Sequence, residues 1–235
     1  MPVMGKIEDF KIDMDEMMKA GVHIGHSISK LHPKMKDFIL GIRNTSHIID
    51  LKKTSQYLIE ALKFIQEIIK NGGTLLLIGT KPPFKTLIKE IAEECNLPWV
   101  NERWLGGTFT NFGTILKRIK YFKELTRQKE TDEFEKYTKK EKIKKEKELE
   151  ELKIKFEGIK NIEKFPEAVF ICDIIKDKLC LKEAKMKGIK TIAIVHTNTD
   201  PTLVDYPIPA NDDAYLAVKY ILEKIKEAIL SIKKK

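Results

Sequence analysis

Three short apolar stretches decide the fold of this chain: TLLLIG at residues 74–79, AVFIC at residues 168–172 and TIAIV at residues 191–195. Each is a continuous run of aliphatic or small residues bounded by glycine or polar residues, which is typical of strands buried on both faces of a parallel sheet. Helical patterns separate these stretches, and strands that alternate with helices indicate βαβ units. The sequence therefore predicts an α/β fold built on a doubly wound parallel sheet.

Helix and hairpin signals surround these strands. The clearest helix covers residues 50–71, where Leu58, Leu62 and Ile65 share one face and Gly72-Gly73 ends the pattern. Further helices are predicted at residues 13–20, 84–95, 181–187 and 213–232, a short strand at residues 99–100, and a β-hairpin from residues 38–42 and 47–49.

The stretch between residues 100 and 168 is too long for an ordinary crossover, and its composition changes to Lys and Glu. Its apolar residues form two stripes with helical spacing, namely Ile115, Ile119 and Phe122, then Leu149, Leu152, Phe156 and Ile159. Two helices that face each other would bury both apolar stripes between them. We therefore predict an inserted antiparallel coiled-coil helical hairpin at residues 113–159, within an α/β domain formed by residues 1–112 and 160–235.

The start of the second hairpin helix has a specific signal. Thr138 and Glu141 have the spacing of a capping box, so we expect the turn between residues 128 and 137. Because the two stripes cover each other, we also expect the hairpin to be a docking arm that can be separated from the main core.

Composition limits the class of partner. The 235 residues include 44 Lys and Arg against 35 Asp and Glu, a formal net charge of +9, which is expected of a protein that meets nucleic acid. The longest apolar runs fall far short of the roughly 20 residues that span a bilayer, so no membrane partner is expected. The three cysteines form no CxxC pair and the N-terminus carries no targeting pattern, which favours the cytosol or an organelle stroma.

Enzyme motifs are not found in this sequence. Gly79-Thr80-Lys81 lies between a strand and a helix, but it has neither the GxGxxG fingerprint nor the GxxxxGK[ST] phosphate loop. No nucleophile elbow or paired-cysteine metal spacing is present. We predict that the chain is not an enzyme; the alternative is an α/β enzyme that acts on a phosphorylated small molecule.

The stretch RWLGGTFTN at residues 103–111 combines an arginine, a tryptophan and paired glycines before a helix. Arginine binds phosphate oxygens with two hydrogen bonds, glycines let backbone N–H groups approach phosphate, and tryptophan stacks on an unpaired base. The alternative is that Trp104 fills an edge of the core and the glycines only turn the chain. The predicted RNA-binding residues are Lys34, Lys36, Arg43, Lys81, Arg103, Trp104, Gly106, Gly107, Thr110, Asn111 and Arg118.

A second set of residues has the chemistry of metal ligands. His23 and His26 are three residues apart, His196 ends the predicted last strand, and Asp212 and Asp213 lie in the loop after that strand. Imidazole and carboxylate could hold zinc or magnesium, although no cofactor is required by the fold. The alternative is that the acids are ordinary partners of a helix N-terminus.

Six motifs, in order along nearly the whole chain, resemble the protein-two family of the small ribosomal subunit. They are AGVHIGH (20–26), HPKMKDFILGIRN (32–44), HIIDLKKT (47–54), IGTK (78–81), RWLGGTFTN (103–111), and HTNTDP (196–201) with DYPIPANDDA (205–214).

This resemblance implies a flavodoxin-like fold and a structural role in translation. The expected partners are small-subunit rRNA and neighbouring ribosomal proteins, including the large mRNA-binding ribosomal protein one where that protein is present. The hairpin implies the bacterial or organellar branch, and so a ribosome-associated location in the cytoplasm or an organelle stroma. One residue departs from the pattern, because the family commonly has Asp at the position of His196, next to an acidic loop that holds a metal in some members.

Overall fold

The computed structural model describes residues 10, 12–131 and 137–233. Its helices are α1 (Met14–Lys19), α2 (Leu51–Lys70), α3 (Lys85–Cys95), α4 (Phe112–Glu130), α5 (Lys139–Phe156), α6 (Lys178–Met186) and α7 (Tyr215–Lys233). Its strands are β1 (Ile24–Ser27), β2 (Ile39–Arg43), β3 (Ser46–Ile49), β4 (Leu75–Ile78), β5 (Trp99–Val100), β6 (Ala168–Ile171), β7 (Lys190–Val195) and β8 (Tyr206–Pro209).

The main sheet has five parallel strands in the order β5-β4-β6-β7-β8. All four residues of β4 and of β6 are buried, so these strands are covered on both faces, as their apolar runs predicted. Alternate residues point to opposite faces: Leu75 and Leu77 join a core with α2, α3 and α7, whereas Leu76 and Ile78 join a core that includes residues of α6. The α/β fold with a parallel sheet is confirmed, and helices on both faces are what a doubly wound fold requires.

Helix α2 shows how the sequence builds one of these layers. The side chain of Asp50 accepts a hydrogen bond from the N–H of Lys52 at 2.9 Å and caps the helix. Leu58, Leu62 and Ile65 are fully buried in the core shared with α7. Truncating such a leucine to alanine costs about 2–5 kcal/mol, so this stripe is a major contribution to stability.

Two strands were not predicted from the sequence. Strand β8 contains Pro207 and Pro209, which argue against a strand, but it pairs only with β7 at the sheet edge, where proline is tolerated. Strand β1 pairs with β3 and turns the predicted hairpin into a three-stranded antiparallel sheet of order β1-β3-β2. Helix α7 begins at Tyr215 rather than residue 213, because Asn211 Oδ1 accepts hydrogen bonds from the N–H groups just before it.

Helices α4 and α5 occupy the Lys- and Glu-rich stretch and contact each other. The buried residues are Ile115, Ile119, Phe122 and Leu125 on α4, and Leu149, Leu152 and Phe156 on α5. At the start of α5, the N–H of Thr138 donates to Glu141 Oε2 at 2.9 Å, as the capping-box spacing predicted. The expected turn falls largely on residues 132–136, outside the described part of the chain, and the domain boundaries at 112 and 160 stay predictions.

The end of α5 lies against the sheet edge. Gly158 follows α5, and a Cβ atom there would lie 2.1 Å from the backbone oxygen of Trp99 in β5. Only glycine permits this approach, since no side chain fits between the two backbones. Among the helices described, none is long and apolar enough to cross a bilayer.

Candidate functional site

Polar side chains from four segments meet at the carboxyl edge of the parallel sheet. Lys81 follows β4, Asp173 follows β6, His196 follows β7, and Asp212 and Asp213 follow β8. Parallel strands place their carboxyl ends at one edge, which is where open α/β sheets bind ligands. The fold therefore joins residues that are more than 100 positions apart in the chain.

Lys81 lies at the centre of a carboxylate cluster. Its Nζ is 2.6 Å from Asp173 Oδ2, 2.8 Å from Asp213 Oδ1 and 3.5 Å from Asp212 Oδ1. Burial lowers the pKa of Lys81, but hydrogen bonds to Asp173 and Asp213 outweigh it and raise that pKa above the ordinary value. Burial and the neighbouring Asp173 raise the pKa of Asp212 to about 7. This placement argues against the predicted phosphate contact of Lys81, because an approaching phosphate would meet more negative than positive charge.

Three of the five predicted metal ligands come together beside this cluster. His26 Nδ1 is 2.8 Å from His196 Nδ1 and 3.0 Å from His196 Nε2, and His26 Nε2 is 3.6 Å from Asp213 Oδ2. One ligand atom from each of these residues lies within 4.8 Å of the others. His23 is not in this group, and Asp212 faces Lys81 instead.

Two imidazoles and a carboxylate are ligands that zinc accepts, but their hydrogen bonds already serve another purpose. His196 Nδ1 accepts from the N–H of Thr197 at 2.7 Å, and burial lowers the pKa of His196 to about 3. With Nδ1 as an acceptor, the neutral ring carries its proton on Nε2. Metal binding would require the other tautomer and would compete with Lys81 for Asp213. The metal site stays a prediction.

The glycine-rich loop between β5 and α4 is held by a glutamate of α6. Glu183 accepts hydrogen bonds from the N–H groups of Gly107 at 2.7 Å, Phe109 at 2.8 Å and Thr110 at 3.3 Å. Gly107 has φ of +91°, which favours glycine and turns these N–H groups towards one acceptor. The N–H groups that were predicted to bind a phosphate therefore donate to a carboxylate of the chain itself. Gly106 is adjacent to these donors.

Trp104 is 5% exposed and contacts Phe109 edge to face, with ring centroids 4.8 Å apart. A buried ring cannot stack on an RNA base, so the structure favours the alternative that Trp104 fills an edge of the core. Glu183 was not singled out from the sequence. The available signal was an acid on a helix beside the buried positions Cys180, Leu181 and Ala184.

The remaining predicted RNA-binding residues lie on the surface. Lys36, Arg43, Arg103 and Arg118 are exposed and form no ion pair with any described residue. Lys34 is also exposed, but its ammonium is 2.8 Å from Asp200 Oδ2. Thr110 and Asn111 are exposed at the start of α4, and Asn111 Oδ1 accepts from the Thr114 hydroxyl at 2.8 Å.

Comparison with known proteins agrees with this architecture. Residues 17–231 match the family described as Ribosomal protein S2. The small ribosomal subunit protein uS2 of Dictyoglomus thermophilum is 46% identical over 92% of this chain and 88% of its own length. The protein of the same name from Coprothermobacter proteolyticus is 44% identical over 93% of this chain and 82% of its own length. The chain therefore belongs to the bacterial type of the ribosomal protein S2 family.

Proposed function

We propose that the chain is a structural component of the small ribosomal subunit, where it binds small-subunit rRNA and supports translation. The family match over most of the chain supports the assignment to the small subunit, as do relatives named as small ribosomal subunit proteins. The observation that carries the RNA contact is the pair of exposed cations Arg103 and Arg118, which flank a loop braced from inside by Glu183. A braced loop presents its charges without the entropy cost of ordering them on binding.

Helices α4 and α5 support a second part of this proposal. Their buried stripes contact each other, and the outer face of α5 carries interleaved Lys and Glu, whereas the first three turns of α4 carry basic residues only. We propose that residues 113–159 form an antiparallel coiled-coil hairpin that docks on neighbouring ribosomal proteins, including ribosomal protein one where present. The location would then be the bacterial cytoplasm, on the ribosome.

The alternative, an α/β enzyme acting on a phosphorylated small molecule, has less support. Two features could receive a phosphate at the carboxyl edge of the sheet, the Lys81 ammonium and the N–H groups of the glycine-rich loop. Carboxylates of the chain already occupy both, through Asp173 and Asp213 in the first case and Glu183 in the second.

Sucrose-gradient sedimentation of a tagged chain tests the proposal. We expect the protein in the small-subunit peak, and filter binding to small-subunit rRNA should weaken steeply with salt. Arg103→Ala should reduce the magnitude of the log–log salt slope by about 0.7 to 0.9, the share of one phosphate contact. The matched control is Lys89→Ala, whose lysine pairs with Glu93 on α3. A chain that stays at the top of the gradient and binds the transcript no better than a neutral protein would refute the function.

A further inference from the structure

Two segments that follow β5 and β6 are rich in basic residues and poor in acids. Residues 103–123 contain five basic residues and no acid, and residues 176–190 contain six lysines and two acids. Together these segments carry a formal charge of +9, equal to the net charge of the whole chain; residues 136–147 carry a further +5, which acids elsewhere in the chain offset. The first segment includes Arg103 and Arg118; the second was not singled out from the sequence.

Within the second segment, helix α6 presents a face made of lysine. Lys178, Lys182 and Lys185 are spaced 4 and 3 residues apart, so they lie on one side of the helix, and all three are exposed. Lys176 before the helix and Lys187 after it are exposed as well. We call these five residues the α6 lysine face.

In the described part of the chain, no exposed acid forms an ion pair with the α6 lysine face. Its two neighbouring acids are buried and bonded elsewhere: Asp177 accepts from the Thr80 hydroxyl at 2.7 Å, and Glu183 accepts from the glycine-rich loop. None of the five lysines forms an ion pair with a described residue. Like charges four residues apart on a helix repel each other, so this arrangement opposes helix formation unless a partner neutralises it.

Helices α3 and α7 show the opposite arrangement. Lysines of α3 and α7 pair with glutamates three or four residues away, as in Lys89 with Glu93 and Lys219 with Glu223. Lysines that pair within their own helix are typical of an ordinary solvent-exposed surface. The unpaired lysines of α6 therefore differ from the paired lysines of α3 and α7.

Helix α6 contacts the loop that leads into the basic start of α4. Glu183 of α6 binds the loop that leads into α4, and Leu179 of α6 would contact a Cβ atom placed on Gly106 of that loop at 3.4 Å. Phe165 stacks on Phe112, the first residue of α4, with centroids 4.5 Å apart, and Lys187 Nζ lies 6.0 Å from the Phe165 ring. On α4, Lys117, Arg118, Lys120 and Lys123 are exposed and form no ion pair in the described part of the chain.

We infer that the α6 lysine face and the first three turns of α4 together form a docking surface for the phosphate backbone of structured RNA. This inference rests on the proposed function. The RNA-binding surface that it adds is formed by α4 and α6 and contains no residue near the N-terminus. Lysine ammonium groups act as point charges towards phosphate, and an unbalanced row of them fits a polyanion with regularly repeating charge. Glu183 is a positioning residue for this surface, because it fixes the loop between the two helices.

The test compares two triple variants of the full chain with equal net charge. The first changes the face itself: Lys178→Gln, Lys182→Gln and Lys185→Gln. The control removes three paired lysines from α3 and α7: Lys89→Gln, Lys219→Gln and Lys224→Gln. Affinity for a small-subunit rRNA transcript is measured by filter binding across a salt series, with circular dichroism to check folding.

The first variant should bind roughly tenfold more weakly or worse, and the magnitude of its salt slope should fall by about 2 to 3, while the control binds like the parent. Equal losses in both variants would reduce the effect to net charge and overturn the inference. Unchanged affinity of the first variant, with the parent chain still binding, would overturn the inference and leave the proposed function standing. If the first variant keeps its rRNA affinity but is lost from small subunits, the α6 lysine face contacts an acidic protein surface instead of RNA. A parent chain that binds no rRNA would refute both.

Discussion

Replacing Glu183 by alanine would remove the acceptor of three backbone N–H groups in the loop that leads into α4. The donors are Gly107, Phe109 and Thr110, at 2.7, 2.8 and 3.3 Å from the carboxylate. Phe109 and Glu183 are almost fully buried, so water cannot easily replace the lost acceptor. Each buried donor left unsatisfied costs about 1–3 kcal/mol, with the lower end expected for the two more accessible groups. We expect Glu183→Ala to reduce the free energy of unfolding by about 3–5 kcal/mol.

Glu183→Gln separates the shape of the side chain from its charge. The amide keeps one acceptor oxygen, which can serve Phe109 and Thr110, but its NH₂ group would then face the N–H of Gly107. One lost bond and two opposed donors correspond to roughly 1–3 kcal/mol. The expected order of stability is therefore parent, then glutamine, then alanine.

Urea unfolding followed by circular dichroism measures these differences. Glu90→Ala is the matched control, since Glu90 is an exposed glutamate of α3 and such changes stay within about 0.5 kcal/mol. A Glu183→Ala loss below 1 kcal/mol would show that the loop finds other acceptors and that Glu183 does not organise it.

Three further changes test other parts of the structure. Burial lowers the pKa of His196 to about 3, so below pH 6.5 the unfolded chain binds a proton that the folded chain does not bind. The free energy of unfolding should therefore decrease as the pH decreases. In the presence of a chelator, His196→Gln should remove roughly 2 kcal/mol of this decrease between pH 7.5 and 5.0. Metal analysis of the purified chain and of His196→Ala should differ if His196 is a ligand, and equal metal content would discard it. Replacing residues 120–153 by a short Gly-Ser linker should keep a cooperative thermal melt but lower incorporation into small subunits.

The controls for these changes follow from the geometry. An unchanged pH dependence in His196→Gln would show that the buried ring is protonated at little cost. Loss of the cooperative melt in the deletion would place α4 and α5 within the folding unit of the sheet, because the buried residues of both helices belong to the same core as Leu76 and Ile78 of β4.

Much of the fold could be read from local patterns. The apolar runs of β4, β6 and β7 and the stripe of α2 predicted their elements to within a few residues. Hydrophobic periodicity and the residues that end an element depend only on neighbouring positions in the chain. Strand β8 was missed because its prolines are tolerated only by a strand at a sheet edge, and edge position is a property of the assembled sheet.

The candidate site divides in the same way. Residue type and motif order predicted Arg103 and Arg118 as RNA-binding residues and His26 and His196 as metal ligands, and these assignments stay predictions. Which charges are available to a partner was decided only by the tertiary structure: Lys81 meets carboxylates from Asp173 and Asp213. The glycine-rich loop likewise meets a carboxylate 76 positions away from Gly107. Ion pairs and buried hydrogen bonds depend on distances through space, and a linear sequence contains the charges but not those distances.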